Sequence, residues 1–388
     1  MYTLLLIIIY LSFISLGLPD SLLGSAWPAM REKIGVPLSF AGIIAMIISA
    51  GTICSSLLSD RLTKRFGAGQ VTAFSVLTTA VALFGFSVSN SFWMLCVFAV
   101  PYGLGAGAVD AALNNYVALH YTSRHMNWLH SFWGLGASIG PYIMGYYLTH
   151  GASFQSGYRA ISIIQIFLTA VLFLSLPLWK RQKTKISNEP QEHYPVLKLS
   201  QILRIKGVKF ILPAFFGYCA LESTAGLWAS SFLVLHRGIM PETAASYAAF
   251  FYMGITAGRF LSGFISDKIG SRNMIRYGIG ITVAGIIAVW LPAGSDWLCL
   301  NGLIIIGLGC APVYPAIIHA TPANFGQENS QAVIGVQMAS AYMGTTFIPP
   351  LFGIIANNIS ISLYPLYLLF FAALMLYMTE KLNKSIRR

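Results

Sequence analysis

Charge is what this chain of 388 residues has least of. Only 9% of it is Asp, Glu, Lys or Arg, against about 25% in a soluble globular domain. With 56% hydrophobic residues and a mean hydropathy of +0.70, that scarcity excludes an ordinary water-soluble fold. Acids are scarcer than bases: 12 Asp and Glu against 24 Lys and Arg leave a net charge of +12. In a soluble protein such an excess would point to nucleic acid. Here it is expected in cytoplasmic loops, which favour Lys and Arg, and no nucleic-acid partner is expected. The 5 cysteines all fall inside apolar runs and read as small core residues. No His/Cys grouping has metal-ligand spacing, so neither a metal nor a cofactor is expected. The glycines of 103–107 do not follow a strand, and no phosphate-cradling lysine loop occurs, which argues against a nucleotide-driven pump. No nucleophile–base pair can be assembled either, so the chain is not expected to be an enzyme. The apolar start, 2–18, lacks a basic leader and runs on past Asp20 to Trp27. It reads as a retained first span and not a cleaved signal.

What the sequence has is long apolar runs. A membrane-crossing helix needs roughly 20 apolar residues. That rule predicts an all-α polytopic membrane protein with about twelve spans, near 2–30, 38–58, 69–89, 92–120, 129–149 and 157–179, then 209–235, 243–265, 273–292, 297–320, 331–356 and 361–379. With both termini cytoplasmic, the inner loops and tail collect Arg61, Lys64, Arg65, Arg124, the basic residues of 180–209, Lys268, Arg272, Arg276 and those from Lys381 onward. The outer loops keep only Arg31, Lys33, Arg159 and Arg237. That bias sets the expected orientation, in a cell (inner) membrane. The chain echoes itself. Asp20-Ser21-x-x-Gly24-x-x-Trp27 returns as Glu222-Ser223-x-x-Gly226-x-Trp228. Ala50-Gly51-x-x-x-Ser55-x-x-x-Ser59-Asp60-Arg61 returns as Ala257-Gly258-x-x-x-Ser262-x-x-x-Ser266-Asp267-Lys268, and Gly103-Leu104-Gly105 as Gly307-Leu308-Gly309. Three echoes in one order predict two pseudo-symmetric six-helix bundles, 1–180 and 209–388, joined by a basic cytoplasmic linker over 181–208. Transporters are often built from such repeats, with substrate held between them.

The fourth span organises the rest. Gly103, Gly107, Asp110 and Asn114 step by four, three and four residues and share one helical face, its small residues letting a neighbouring helix come close. Asp20, Asp110 and Glu222 are the acids within spans, and Arg259 is the base well inside one. Ionisable groups at that depth are functional by default, and loading a proton onto such a carboxylate biases one conformation over another. Asp110 is the first choice as proton carrier, Asp20 the second, with Glu222 beside them; sodium is the other candidate ion. For a substrate, the polar candidates are Asn114, Asn115, His130, Glu222 and Gln337, and the aromatic ones Trp27, Trp133 and Trp228. An indole beside an acceptor suits the apolar C–H face and hydroxyl rim of a sugar. Belt and packing roles compete for these tryptophans, an interfacial role for His130, and helix stitching for Gln337. In a regular helix Trp228 points about 120° away from Glu222, so the two meet only if Gly226 loosens the backbone.

Together these features resemble the major facilitator superfamily. The stretch Ser59-Asp60-Arg61-Leu62-Thr63-Lys64-Arg65 is similar to its cytoplasmic signature after the second helix, with Ser56 and Thr63 at the two glycine positions, and Gly263-x-x-x-Asp267-Lys268-Ile269-Gly270-Ser271-Arg272 matches more closely. Within the superfamily the chain resembles the fucose–galactose–glucose:proton symporters. Gly17-Leu18-Pro19-Asp20-Ser21-Leu22-Leu23-Gly24-x-Ala26-Trp27-Pro28, Asp110-x-x-x-Asn114 and Gly307-Leu308-Gly309-x-x-Pro312-x-Tyr314-Pro315 carry the likeness; fucose permeases tend to have Glu where Asp110 stands. The resemblance is joined by two charged stretches at equivalent places, expected to form a cytoplasmic gate of Asp60, Arg61, Arg65, Asp267, Lys268 and Arg272 with Arg259, eight residues before Asp267; solvated cytoplasmic charge is the competing role. The resemblance implies a monomeric secondary transporter that imports a sugar, or a similar hydroxylated small molecule, with protons by alternating access. Two other readings compete. Gly136-x-x-x-Gly140-Pro141-x-x-x-Gly145 loosely resembles a motif of drug–proton antiporters that export amphipathic compounds, and a receptor without transport activity is a third use of the same fold.

Overall fold

The computed structural model describes residues 2–386 except 21, 38–39, 187–195 and 292–295. Among the described residues there is no strand. Helices run in order: α1 (Tyr2–Asp20), α2 (Leu22–Ile34), α3 (Phe40–Phe66), α4 (Ala68–Val88), α5 (Phe92–His120), α6 (Ser123–Thr149), α7 (Phe154–Ile186), the short α8 (Leu199–Ile202), α9 (Val208–Arg237), α10 (Pro241–Ile269), α11 (Ser271–Trp290), α12 (Trp297–Cys310), α13 (Val313–His319), α14 (Thr321–Phe325), α15 (Gln327–Ile355) and α16 (Tyr364–Ile386). By length and composition, 9 stretches of the described residues are apolar enough to cross a membrane. One of them, Gln327–Ile386, holds both α15 and α16. Helices α6 and α10, of 27 and 29 residues, complete the twelve spans; their apolar runs are diluted by Asn127 and His130, and by Arg259 and Asp267. The polytopic helical fold expected from hydropathy is the fold observed.

Helix ends depart from the expectation where charge begins. The residues Asp60, Arg61, Lys64 and Arg65 lie on the last turns of α3, not in a loop, and Asp267 and Lys268 lie on the last turn of α10. The helix carries its own backbone hydrogen bonds out of the apolar layer, so charge alone does not end it. What ends it is one glycine: Gly67 (φ 82°) follows α3 and Gly270 (φ 78°) follows α10, a backbone conformation that residues with a Cβ rarely adopt. Helix α7 likewise continues to Ile186 through part of the stretch expected to be a loop; Glu189-Pro190 lies outside the described residues. The tenth span is two helices, α12 and α13, parted at Pro312, which has no N–H to donate and whose ring clashes with the carbonyl four residues earlier.

By contact the chain forms two compact units, one of Met1–Tyr116 with Phe132–Leu197, the other of Val117–Ser131 with Lys198–Arg388. In the first, Leu22, Trp27, Met30, Ile44, Phe86, Phe154 and Tyr158 belong to one buried apolar cluster, and α4 packs along α7. In the second, α9 packs on α15 and α16, and α12 on α10 and α11. The same helix pairings are made in each unit with the same device. A Cβ at Gly103 of α5 would overlap the carbonyl of Ile48 in α3, and one at Gly307 of α12 would overlap that of Phe251 in α10. A Cβ at Gly136 or Gly140 of α6 would overlap the carbonyls of Ile14 and Leu18 in α1, and one at Gly344 of α15 would come within 2.6 Å of that of Phe216 in α9. Small residues let helix backbones touch, which is where dispersion packs helices that gain little from hydrophobic burial in lipid.

A side chain at these seats must push the helices apart. Gly103→Val and Gly136→Val are each expected to cost about 1–3 kcal/mol through overpacking, read as a lower unfolding temperature in detergent. Gly145→Val, where nothing lies within 4 Å, should leave the transition in place.

Candidate functional site

In the first unit the site is built on α1, α5 and α6. Asp20 closes α1 and is exposed. Its Oδ1 accepts from the Tyr102 hydroxyl at 3.3 Å and its Oδ2 from the Trp133 indole Nε1 at 2.8 Å. Tyr102 is buried and packs edge-on against Phe86, so its hydroxyl is the polar tip of an otherwise apolar cluster. Both donors are neutral, and no described cation forms an ion pair with this carboxylate. Two helical turns beyond Tyr102, Asp110 is buried and accepts from the Asn114 amide at 2.7 Å; the same Nδ2 donates to the Asp110 carbonyl at 3.0 Å. Asn114 and Asn115 are buried on the same helix. Trp27, at 3% exposure, belongs to the buried apolar cluster of this unit.

In the second unit Glu222 of α9 faces Arg259 of α10, Oε2 to Nη2 at 3.5 Å. The guanidinium also donates to the Tyr218 hydroxyl at 3.4 Å and lies 5.9 Å from the Tyr314 ring, while Tyr218 donates to the Cys310 carbonyl at 3.1 Å. Arg259 thus faces an acid of α9, although it was expected to join the charges of the cytoplasmic gate. His130 is buried edge-on against Tyr314 at 4.6 Å, not interfacial. Gln337 accepts from Thr321 at 3.0 Å, stitching α15 to α14. Trp228 donates to the Pro349 carbonyl at 2.9 Å and packs on Phe352. Helix α9 runs unbroken past Gly226, so Trp228 and Glu222 stay on separate faces.

The helix-end charges make two different contacts. Asp60 pairs with Lys64 on its own helix at 3.0 Å, and Arg65 lies over the Phe66 ring at 5.3 Å. Asp267 accepts from the Thr122 hydroxyl and the Arg124 backbone N–H, both at 3.0 Å, with the Arg124 side chain at 3.6 Å. A carboxylate at the first turn of α6 meets unsatisfied N–H groups and the positive end of the helix dipole. Arg61 and Lys268 are exposed, and Arg272 is half-buried.

Several of these partners escaped sequence reasoning. Tyr218 stands four residues before Glu222 and shares its face, a signal that was available. Tyr102, an aromatic in an apolar run, offers none, and Thr122 and Arg124 meet Asp267 only through tertiary contact.

The family model for the Major Facilitator Superfamily matches residues 9–336 and 238–382, and the chain belongs to that superfamily of transporters. The glucose/mannose transporter GlcP of Bacillus subtilis is 22% identical over 91% of this chain and 88% of its own length. The cis,cis-muconate transport protein of Acinetobacter baylyi is 23% identical over 91% and 87%. Among solved structures, FucP in the outward conformation aligns with a TM-score of 0.76 at 15% identity, over 97% of this chain and 98% of its own. The proton:xylose symporter XylE aligns with a TM-score of 0.80 at 10% identity, over 98% and 95%.

Losing one partner of a buried ion pair strands the other. Glu222→Gln, which strands the buried Arg259, is expected to cost about 3–5 kcal/mol, and Glu222→Gln/Arg259→Met together much less than the two single losses added. A double-mutant cycle of thermal unfolding in detergent measures this; purely additive losses would mean the pair carries no coupling.

Proposed function

We propose that this transporter imports a sugar, or a similar hydroxylated small molecule, together with protons. In this reading the halves 1–180 and 209–388, joined by a cytoplasmic linker, alternate in a cell membrane with both termini on its cytoplasmic side. The observation that carries it is the Asp20 carboxylate, held by Tyr102 and Trp133. An exposed carboxylate held only by neutral donors gains or loses a proton without stranding a buried cation. Glu222 faces Arg259 at 3.5 Å and serves this reading as the counter-charge of that buried arginine. Asp20 is the coupling acid these contacts support, Asp110, buried beside Asn114 on α5, is the second candidate in the same reading, and the Glu222–Arg259 pair is a polar fixture of the second half. The Trp133 indole, oriented by its bond to Asp20, offers an apolar face to sugar C–H groups, and Asn114 and Asn115 supply amides for hydroxyls.

The relatives fit this chemistry: one is named for glucose and mannose, and two structural neighbours for fucose and xylose with protons. A dicarboxylate of the kind named for the Acinetobacter relative calls for an uncompensated cation, whereas Arg259 is already matched by Glu222. The antiporter reading leaned on Gly136 and Gly140, whose small size serves the contact with α1. The contacts of Asp267 with the start of α6 support a gate role for that residue: transport would require them to part.

Proteoliposomes test the reading. Monosaccharides added under an inward proton gradient should accumulate and acidify the lumen. Asp20→Asn and Asp110→Asn should each abolish uphill accumulation while leaving sugar exchange measurable. Trp133→Phe should weaken apparent sugar affinity about tenfold, the equivalent of roughly 1.4 kcal/mol. Accumulation at the normal level by both Asn variants would overturn the assignment of the coupling acids. Accumulation driven by a sodium gradient alone would reassign the ion, and alkalinisation on adding a lipophilic cation would favour export.

A further inference from the structure

At one end of the second unit, the approach to α9 and the last turns of α16 enclose an open cavity of about 800 Å³. Five cations surround it: Arg204, Lys206 and Lys209 from the approach, Lys381 and Lys384 from α16. All five are exposed. None forms an ion pair with a described carboxylate. Glu380, next in sequence to Lys381, is taken by Arg276 in a two-pronged pair at 2.6 and 2.7 Å. The arrangement is held in place by Gly207, whose backbone (φ 95°) suits glycine and whose missing Cβ would come within 2.8 Å of Leu382 and 3.2 Å of Phe325. The backbone carrying the two groups of cations is thus packed together, although like charges so placed repel.

The walls are not purely polar. Leu203, Ile205 and Phe210 also line the cavity; Leu203 is 45% exposed, and Leu199 just before it 48%. Lys209 lies over the Phe210 ring at 5.2 Å and Lys381 over the Tyr377 ring at 5.3 Å, so the stems cover apolar surface and the ammonium groups stay free to meet an anion. The cavity sits where one membrane-crossing helix begins, at Val208, and another ends, at Ile386. Lys381 and Lys384 follow the apolar run of α16, and Arg204, Lys206 and Lys209 precede or open that of α9. The cations thus stand where apolar sequence gives way to charge, the composition of a membrane helix at its headgroup end. The cavity's volume falls in the range of about 300–1,000 Å³ that takes a whole small molecule, more than a bare phosphate needs.

We propose that this cavity binds the phosphate headgroup of an anionic phospholipid, with the acyl chains lying against the apolar wall. Basic pockets at the ends of membrane helices take such headgroups by charge, and the attraction fades with salt. The site is independent of the transported substrate, so it stands or falls apart from the sugar reading.

Native mass spectrometry of the full chain in detergent tests it, with phosphatidylglycerol, phosphatidylcholine and inorganic phosphate as probes. Phosphatidylglycerol should be retained roughly tenfold better than phosphatidylcholine, and Lys206→Gln/Lys209→Gln/Lys381→Gln/Lys384→Gln should erase that preference. Arg31→Gln/Lys33→Gln, a charge loss elsewhere, should keep it. Should the fourfold variant fail to fold, the unmodified protein still decides: its preference must fall by about tenfold as salt rises from about 0.05 to 0.5 M. Equal retention of both lipids, a preference untouched by salt, or displacement of the lipid by millimolar phosphate would overturn the proposal, the last by marking a site for the free anion.

Discussion

Moving an ionised side chain from water into hydrocarbon costs several kcal/mol unless the protein takes over the part water played. Each charge kept inside this chain is answered in its own way. Glu222 and Arg259 neutralise one another. Asp110 is met by the amide one turn along its own helix. Asp20 receives a phenol and an indole from two other helices. The kind of partner decides what the acid can do. A carboxylate opposite a buried guanidinium supplies the charge that the arginine needs. A carboxylate balanced by neutral donors can change charge and leave nothing stranded. The three acids look equivalent in composition, and the structure gives each a different kind of partner.

The second constraint is how helices adhere where lipid is as apolar as their side chains. The chain solves this with glycine seats on backbone carbonyls and uses the solution twice. Gly103 on Ile48 is matched by Gly307 on Phe251, and Gly136 on Ile14 by Gly344 on Phe216. The turns after the second helix of each half follow suit, at Gly67 and Gly270. These recurrences are the structural content of the sequence echoes, and they explain why glycine and serine dominate them. The Gly136–Gly140 pair shows the danger of reading such spacing as a functional motif, since its task is contact with α1.

Much of the fold was legible in advance. Hydropathy located the spans because the backbone cannot cross lipid without closing its own hydrogen bonds, and any helix that does so writes an apolar run of fixed length. Helix ends were less legible. The charged turns of α3 and α10 remain helical because their limit is a single glycine, not the edge of the apolar layer. The site was legible in its residue types and not in its pairings: Asp20, Trp133, Glu222 and Arg259 stood out, while Tyr102, Thr122 and the burial of Trp27 and His130 did not.

By itself, the order of residues determined which segments cross the membrane, that the chain repeats itself, and which charges had to be sheltered, because the penalty for exposing them to lipid is a property of each side chain. Only the tertiary structure decided who shelters whom. Tyr102, Trp133 and Asp20 lie on three helices far apart in sequence, and Glu222 and Arg259 on two. No local periodicity records which helix faces which, since that depends on where small residues allow backbones to meet.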